Sequence, residues 1–330
     1  MSVKQEIRSL QKLGGSLALY LPKEWCDMNN LTRGSKVRVR YVDRFLCIET
    51  EREEKREAVI DLDDILDADL KYALISLYVL GFDRVRLSSK KKISLAIRRH
   101  IISLLNYTPG YEIVEEGENF VDIAIAREVE DPVKALSREF NSVSTLFKYS
   151  IEALERAPNI PNEYVDAIEE LDDEVDRAWF EVERTVYKNV GKAYLKSVES
   201  RSMIHLLLVS RYLERLSDHI VQLVQEIHAS PVQQYETIAQ IRSLLISYHN
   251  IIESFKAVLE ERKSARDTNT ITRLINIIEN KKSYKHSVIP RLRKEGGTLV
   301  AYHIMRIYDY ITDIAEVVTN VILDSLYSKT

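Results

Sequence analysis

The sequence predicts a multidomain, mainly α chain: a small β-rich front, a small α/β connecting layer and a long helical body. Three observations carry that reading. Of nine glycines, six lie between Gly14 and Gly117, and only Gly191, Gly296 and Gly297 follow; glycine is the residue of tight turns, so a turn-rich front gives way to a turn-poor body. Residues 36–42, Lys-Val-Arg-Val-Arg-Tyr-Val, alternate strictly between polar and apolar, the period of a half-buried strand. From Asp131 onward apolar residues recur at helical spacing instead. With 330 residues, 45% hydrophobic and 30% charged, the chain is long enough for two or three cores.

The elements follow in order. Residues 6–10 lead into a Gly14-Gly15 turn, and residues 16–21 form a strand stopped by Pro22. Residues 23–28 make one or two helical turns. Arg33-Gly34-Ser35 turns the chain into the 36–42 strand, and Asp43-Arg44 turns it back into 45–48. The charged run 51–56 reads as a linker. Over 57–127 the pattern alternates: strand 58–62, helix 63–80 closed by Gly81, strand 84–87, helix 93–105, strands 111–115 and 120–126. No residue pattern in this connecting layer points to chemistry. Asp131-Pro132 then starts the helical body, with proline at the first helical position.

Six helices are expected there, at about 131–157, 162–189, 197–229, 233–263, 268–287 and 297–327. Breaks fall at Pro158 and Pro161, at Gly191, at Pro231, near Arg266-Asp267, and from Pro290 to Gly297. Two groups of three, 131–229 and 233–330, suggest a duplicated three-helix unit. Residues 214–220, Glu-Arg-Leu-Ser-Asp-His-Ile, align with 305–311, Met-Arg-Ile-Tyr-Asp-Tyr-Ile, in the third helix of each group.

Composition excludes several classes. No apolar run reaches the roughly 18 to 20 residues of a membrane span, and residues 1–10 lack the apolar core of a signal peptide. Cys26 and Cys47 form neither a disulfide framework nor a CxxC metal site, which fits a cytoplasmic protein. No Glu-x-x-His, phosphate-cradling glycine loop, Gly-x-Ser-x-Gly elbow or cysteine-nucleophile setting occurs, so the chain is read as a non-enzyme. His205, His249, His286 and His303 have no ligand spacing and are expected to be structural. The net charge of −4 hides an asymmetry: residues 1–50 hold nine Lys and Arg against five Asp and Glu, a net +4. A basic module on an acidic body suits a polyanion contact at one end.

The chemistry-bearing pattern is acidic. Asp172 and Asp176 are four apart on the second helix, as are Glu214 and Asp218 on the third, so each pair shares one helix face. The apolar stripe of the second helix runs Ile168, Val175, Trp179, Val182 and Val186, and Asp172 falls on it. A carboxylate at a core position is costly unless it is paired or metal-bound. Four carboxylates on neighbouring helices suit one or two hard cations. The competing reading of the same spacing is an ordinary salt-bridge face with Arg177, Arg211 and Arg215.

Residues 211–219, Arg-Tyr-Leu-Glu-Arg-Leu-Ser-Asp-His, closely resemble the signature of PhoU proteins, regulators of bacterial and archaeal phosphate uptake, whose third helices carry Glu-x-x-x-Asp followed by His. Residues 172–176, Asp-Asp-Glu-Val-Asp, resemble the family's Asp-x-x-Val-Asp on the second helix. The resemblance covers 131–330. It implies two PhoU-like three-helix bundles and a metal site at Asp172, Asp176, Glu214 and Asp218, holding iron, zinc, magnesium or manganese. The second repeat departs from the pattern: Met305 stands for the glutamate, Tyr310 for the histidine, and no Asp-x-x-Val-Asp occurs in 268–290.

At the front, Gln-Lys-Leu-Gly-Gly-Ser at 11–16, Leu-Pro-Lys-Glu-Trp at 21–25 and Gly-Ser-Lys-Val at 34–37 resemble, in order, the AbrB/SpoVT swapped-hairpin DNA-binding domain, archaeal type in this combination. That resemblance implies an interleaved homodimer through residues 1–50, with Arg8, Lys12, Lys23, Arg33 and Arg38 supplying DNA contacts. Physics agrees on the partner, because about 45 residues rarely build a sufficient core alone.

The expected domains are therefore 1–50 (DNA binding and dimerisation), 57–127 (α/β connection) and 131–330 (helical, PhoU-like). The expected function is a DNA-binding transcriptional regulator of phosphate homeostasis, with the helical body sensing or docking a signal. The alternative is an adaptor that docks on a phosphate ABC transporter ATPase or other signalling partner, its front only dimerising. A metal-dependent enzyme ranks third. Neither reading involves membrane insertion.

Overall fold

The computed structural model describes residues 5–42, 45–50, 55–65, 67–190, 197–229, 235–260, 268–295 and 297–327. The chain divides into two compact units, Met1–Glu54 and Lys55–Thr330.

In the first unit, β1 (Gln11–Leu13) and β2 (Ser16–Ala18) form an antiparallel hairpin. Gly14 closes it at φ +59°, a conformation that glycine adopts without strain. Helix α1 (Lys23–Met28) follows Pro22. Gly34 turns the chain at φ +91° into β3 (Val37–Val42), which pairs antiparallel with β4 (Phe45–Thr50). The 16–21 strand is thus shorter than expected, because Pro22 and the extended residues before it have no ladder to join. The Asp43-Arg44 turn and most of the 51–56 linker lie outside the described residues. No described residue of this unit is buried.

In the second unit, β5 (Glu57–Asp61), β6 (Arg84–Ser88), β7 (Tyr111–Glu116) and β8 (Phe120–Ile125) form one sheet in the order β5-β6-β8-β7. The β5–β6 pair is parallel and the other two pairs are antiparallel. Helices α2 (Asp67–Val79) and α3 (Leu95–Leu104) complete the layer. Ser94 caps α3 by accepting from the Ile97 amide at 3.2 Å, as an N-cap serine does. Gly81 ends α2 at φ +80°; a side chain there would also meet Lys188, whose Cγ lies 2.8 Å from the Cβ position. Leu74, Tyr78, Val85, Leu87, Ile101 and Ile123 form this layer's core.

The helical body comprises α4 (Pro132–Glu155), α5 (Asn162–Val190), α6 (Ser197–Ala229), α7 (Tyr235–Glu260), α8 (Thr268–Glu279), α9 (Lys281–Glu295) and α10 (Thr298–Tyr327). Asp131 caps α4 by accepting from the Val133 amide at 2.9 Å. Two expectations need correction. Pro290 does not break the chain: it lies inside α9. The break falls instead at Asn280, so the second helix of the second repeat is two abutting pieces, α8 and α9, rather than one helix ending at 287. The Asn280 amide still reaches Asn276 O at 3.1 Å and the Tyr284 amide reaches Asn280 O at 2.9 Å, which carries the helical hydrogen bonding across the break.

Helices α4, α5 and α6 pack on one another, α10 packs on α7, α8 and α9, and the third helices α6 and α10 pack together. The duplication is visible at that seam. Shifting the numbering by the offset that aligns 214–220 with 305–311 turns His219 into Tyr310 and Tyr212 into His303. Both cross-pairs touch: His219 Nδ1 lies 3.1 Å from His303 Nδ1, and the Tyr212 and Tyr310 rings stack at 6.2 Å. A contact that maps onto a contact is what a pseudo-twofold arrangement of two repeats produces.

The α/β layer is not held to the helices by apolar contact alone. Arg184 of α5 is 2% exposed. Its Nη1 donates to Tyr78 O at 2.7 Å and Phe82 O at 2.9 Å, and its Nη2 faces Glu128 at 3.3 Å and Asp83 at 3.6 Å. One turn on, Lys188 pairs with the same two carboxylates at 2.7 and 2.8 Å. The Tyr78 carbonyl in the last turn of α2, which also accepts from the Gly81 amide at 3.0 Å, and the Phe82 carbonyl beyond it, which also accepts from Tyr111 Oη at 2.7 Å, thereby each gain a charged donor. Removing one partner of a buried ion pair leaves the other uncompensated, so Arg184→Ala is expected to destabilise the second unit by about 3–5 kcal/mol. Chemical denaturation checks this; a loss below about 1 kcal/mol would reduce Arg184 to a dispensable contact.

Candidate functional site

The α5 stripe is buried as the spacing requires: Ile168, Val175, Val182 and Val186 are core residues, and Trp179 is half-buried. Asp172 and Asp176 lie half-buried on the edge of that stripe. Across from them on α6, Glu214 is 7% exposed and Asp218 half-buried. The structure thus brings all four predicted carboxylates to the α5–α6 seam.

Two further carboxylates join them. Glu139 of α4 is fully buried and Glu183 of α5 is half-buried. The sequence reading passed over both. Glu139 sits in an α4 register otherwise filled by Leu136, Phe140 and Val143, so the same signal that singled out Asp172, an acid among core positions, was available for it.

The electrostatics are those of acids short of counter-ions. Burial pushes the Asp172 carboxyl up to about 7, and repulsion from Asp218, Asp176 and Glu214 adds to it. Burial likewise moves Asp176 to about 6, helped by Asp218 and opposed by Lys71 and Arg211. Glu214 is held at about 7 by burial and Asp218, against Arg211 and Arg215. Burial raises Asp218 against the same two arginines. Glu139 lies well above the carboxylate range because it is buried; Ser210 opposes that, while Glu214, Glu183 and Asp176 reinforce it.

The cations present do not close the account. Arg211 Nη1 approaches Glu214 at 3.2 Å, Arg215 Nε approaches Glu214 at 3.5 Å, and Arg215 Nη1 lies 3.5 Å from Asp218. The Arg211 guanidinium also covers the Trp179 ring at 4.4 Å. Arg177, the other arginine of the salt-bridge reading, turns to Glu174 at 3.5 Å. Ser210 Oγ donates to Glu139 Oε2 at 2.5 Å, yet Glu139 Oε1 and Glu214 Oε2 are buried without a hydrogen-bond partner. Glu214 Oε2 is the atom that Arg211 and Arg215 approach, so it is met by charge though not by a hydrogen bond. Glu139 Oε1 has neither, and since buried polar atoms are normally satisfied it marks a place for a cation or a proton.

An acidic groove of about 550 Å³ opens beside the seam, lined by Glu169, Glu170, Asp172, Asp173 and Asp218 among others. Among the described residues, no three His, Cys, Asp or Glu side chains converge on one point as a ready-made metal shell. The donor set is all oxygen, which suits hard cations, but the carboxylates are stationed along the seam and a cation has to draw them together.

Three histidines have local partners. His249 Nε2 meets Ser144 Oγ at 2.8 Å, His228 Nδ1 meets Ile160 O at 3.0 Å, and His286 Nδ1 meets Lys282 O at 2.7 Å.

At the front, Lys12 on β1, Lys23 at the start of α1, Arg33 in the Gly34 turn and Arg38 on β3 are all exposed. Arg8 is exposed too, but it is engaged: Nε donates to Glu6 at 2.8 Å and Nη1 to Tyr20 O at 3.3 Å. Arg40, which the sequence reading left out, pairs with Glu49 at 3.1 Å.

Comparison with known proteins adds one finding. No curated protein and no solved structure matches the chain. Residues 136–227, which span most of α4 and all of α5 together with α6 to its last turn, match the family model of the PhoU domain.

Proposed function

We propose that this chain is a regulator of phosphate homeostasis whose first helical repeat takes up a hard metal ion and whose front unit binds DNA as a homodimer. The observation that carries the reading is the coincidence of the PhoU domain at 136–227 with the buried, under-neutralised carboxylates of α4, α5 and α6. A regulator needs a state variable, and a seam that changes from mutually repelling acids to cation-bridged acids supplies one. Asp172, Asp176, Glu214 and Asp218 would hold the ion, which supplies positive charge and oxygen coordination there. The reading is that of a regulator rather than an enzyme.

The front unit supports a DNA contact and a dimer from independent features. Lys12, Lys23, Arg33 and Arg38 are exposed, in a stretch, residues 1–50, of net charge +4. Leu13, Leu17, Val39, Tyr41 and Leu46 are half or more exposed and Ile7 is fully exposed. A unit that leaves these residues in water has not buried a core of its own, and a second copy interleaving with it would supply one. An adaptor reading, in which the front only dimerises the chain, shares the second feature but leaves the first without use.

Three outcomes are expected. Metal analysis of protein purified without chelator should find iron, zinc, manganese or magnesium in the wild type and little in an Asp172→Asn/Asp218→Asn double variant; equal content in both would count against the assignment.

The pH dependence has a definite sign. Carboxyls held at about 6 to 7 in the folded chain against ordinary values near 4 favour folding in their protonated form. That stabilisation is complete below about pH 4 and is lost as pH rises through 6 to 7. In chelator, the wild type should therefore lose more stability between pH 5 and pH 8 than the double variant does. Parallel pH profiles for the two proteins would remove the cluster from the stability balance.

For DNA, a dimer presenting Lys12, Lys23 and Arg33 twice meets about six phosphates, and log affinity should fall against log salt with a slope on the order of −5. Lys12→Ala in the full chain should flatten that slope by roughly 2, one phosphate per protomer. An unchanged slope would place Lys12 off the backbone.

A further inference from the structure

The second repeat carries the same problem as the first and a different answer. Asp309 on α10 is the counterpart of Asp218, in the aligned stretches 214–220 and 305–311, and it is 7% exposed. Asp313 lies one turn further on. In the first repeat, the helix packed against these positions presents Asp172 and Asp176, an i,i+4 pair. In the second repeat, the packed helix is α9, and its i,i+4 pair is Lys281 and Lys285. Lys285 Nζ lies 3.0 Å from Asp309 Oδ1, and Lys281 Nζ lies 3.4 Å from Asp309 Oδ1 and 3.7 Å from Asp313 Oδ1. From α10 itself, Arg306 Nη1 approaches Asp309 Oδ2 at 3.5 Å. Met305 takes the place of Glu214, so one acid is gone as well.

We infer that the second repeat has a built-in cation site: the ammonium groups of Lys281 and Lys285 sit against Asp309 and Asp313 and fill the role that a metal ion would fill in the first repeat. Charge carries the argument. The first repeat sets Asp172, Asp176, Glu214 and Asp218, with Glu139 and Glu183 beside them, against the guanidinium groups of Arg211 and Arg215 and is left with an acidic surplus. The second sets two ammonium groups and a guanidinium against two carboxylates; Asp309 Oδ1 makes no hydrogen bond, as Glu214 Oε2 does not, but here the cations outnumber the acids and no acidic surplus remains. A lysine on a flexible stem delivers its charge as a compact point, as a hard cation does, without coordinating geometry. The two halves of one duplicated body therefore differ in kind: one responds to cation supply and the other is permanently neutralised. The first-repeat half of this comparison rests on the proposed metal site; the second-repeat half stands on the geometry of Lys281, Lys285 and Asp309.

The test uses the full chain in the Asp172→Asn/Asp218→Asn background, so that the first repeat does not contribute. Mn²⁺ binding is measured by equilibrium dialysis before and after introducing Lys281→Asp/Lys285→Asp. The background protein is expected to bind no Mn²⁺ at the second repeat. The double replacement recreates facing carboxylate pairs and should gain about one Mn²⁺ per chain, and Asp309→Asn should abolish that gain. A folded variant that gains none overturns the inference, as does Mn²⁺ bound at Asp309 while both lysines are in place. Should the double replacement not fold, Lys285→Met serves instead. Its melting temperature should fall relative to the background and recover on adding Mn²⁺, whereas the background should not respond; a variant that melts like the background with and without Mn²⁺ overturns the inference. Failure of the first-repeat site shows separately, as unchanged metal content between wild type and Asp172→Asn/Asp218→Asn.

Discussion

A carboxylate buried beside other carboxylates must give up its charge or acquire a cation, and this one constraint organises the second unit. Four places show four solutions. Asp122 of β8 is wholly covered, and Arg84 and Arg86 cover it: Arg86 donates to it twice, at 2.7 and 2.6 Å, and Arg84 donates as well. Hydrogen bonding to Arg86 leads the causes that hold that acid at about 2. Asp83 and Glu128 share Arg184 and Lys188. Asp309 has Lys281, Lys285 and Arg306. The α4–α5–α6 seam has only the glancing contacts of Arg211 and Arg215, and for Glu139 a serine. Surrounded by a fold that elsewhere neutralises its buried acids, the exception is the informative place.

Much of the fold was legible because the signals are long. Helices of the length of α5, α6 and α10 repeat their apolar spacing many times, and Asp131-Pro132 marks a start without ambiguity. Pro290 misled because a proline reads as a stop, yet α9 tolerates it between the buried Ile289 and Leu292; tertiary packing overrode the local preference. The four carboxylates were visible because Asp172 interrupts a stripe. Glu139 interrupts one too, but with a single acid and no partner at i+4 the sequence offers nothing to group it with. Lys281 and Lys285 were invisible for another reason: lysines four apart are ordinary surface, and only the three-dimensional facing of α9 and α10 gives them a role. The connecting layer seemed chemically silent because Arg184, the residue that fastens it, lies far along the chain on α5.

The front unit obeys a different constraint, that of area. Its two hairpins and single short helix have many apolar residues and nowhere to put them. A groove lined by Leu19, Tyr20, Pro22, Trp25, Met28 and Leu46 shows the same want of a cover. Each hairpin is two-stranded, and isolated two-stranded hairpins are marginal in water. On the proposed reading, stability of this unit is therefore a matter of association, while Lys12, Lys23, Arg33 and Arg38 face outward.

Helix α5 ties these constraints together within the second unit. Asp172 and Asp176 lie on it; two to three turns later it carries Arg184 and Lys188, the clamp on the α/β layer. Lys71 of that layer rests 3.7 Å over the Tyr107 ring and acts on Asp176 from outside the bundle. The acidic seam is thus electrostatically in touch with the layer at one point and mechanically joined to it through a rigid rod at another. A cation held in the seam, as proposed, would lessen the attraction between Asp176 and Lys71, because the carboxylate's charge would then be met from the other side. The Arg184 clamp is unaffected by that exchange, since its partners Asp83 and Glu128 are already neutralised. On the proposed reading, cation uptake would bear on this electrostatic contact and spare both the Arg184 clamp and the apolar packing of Trp179 and Phe180 into the layer's core, giving a charge change in the first repeat a route to the α/β layer that leaves the joint intact.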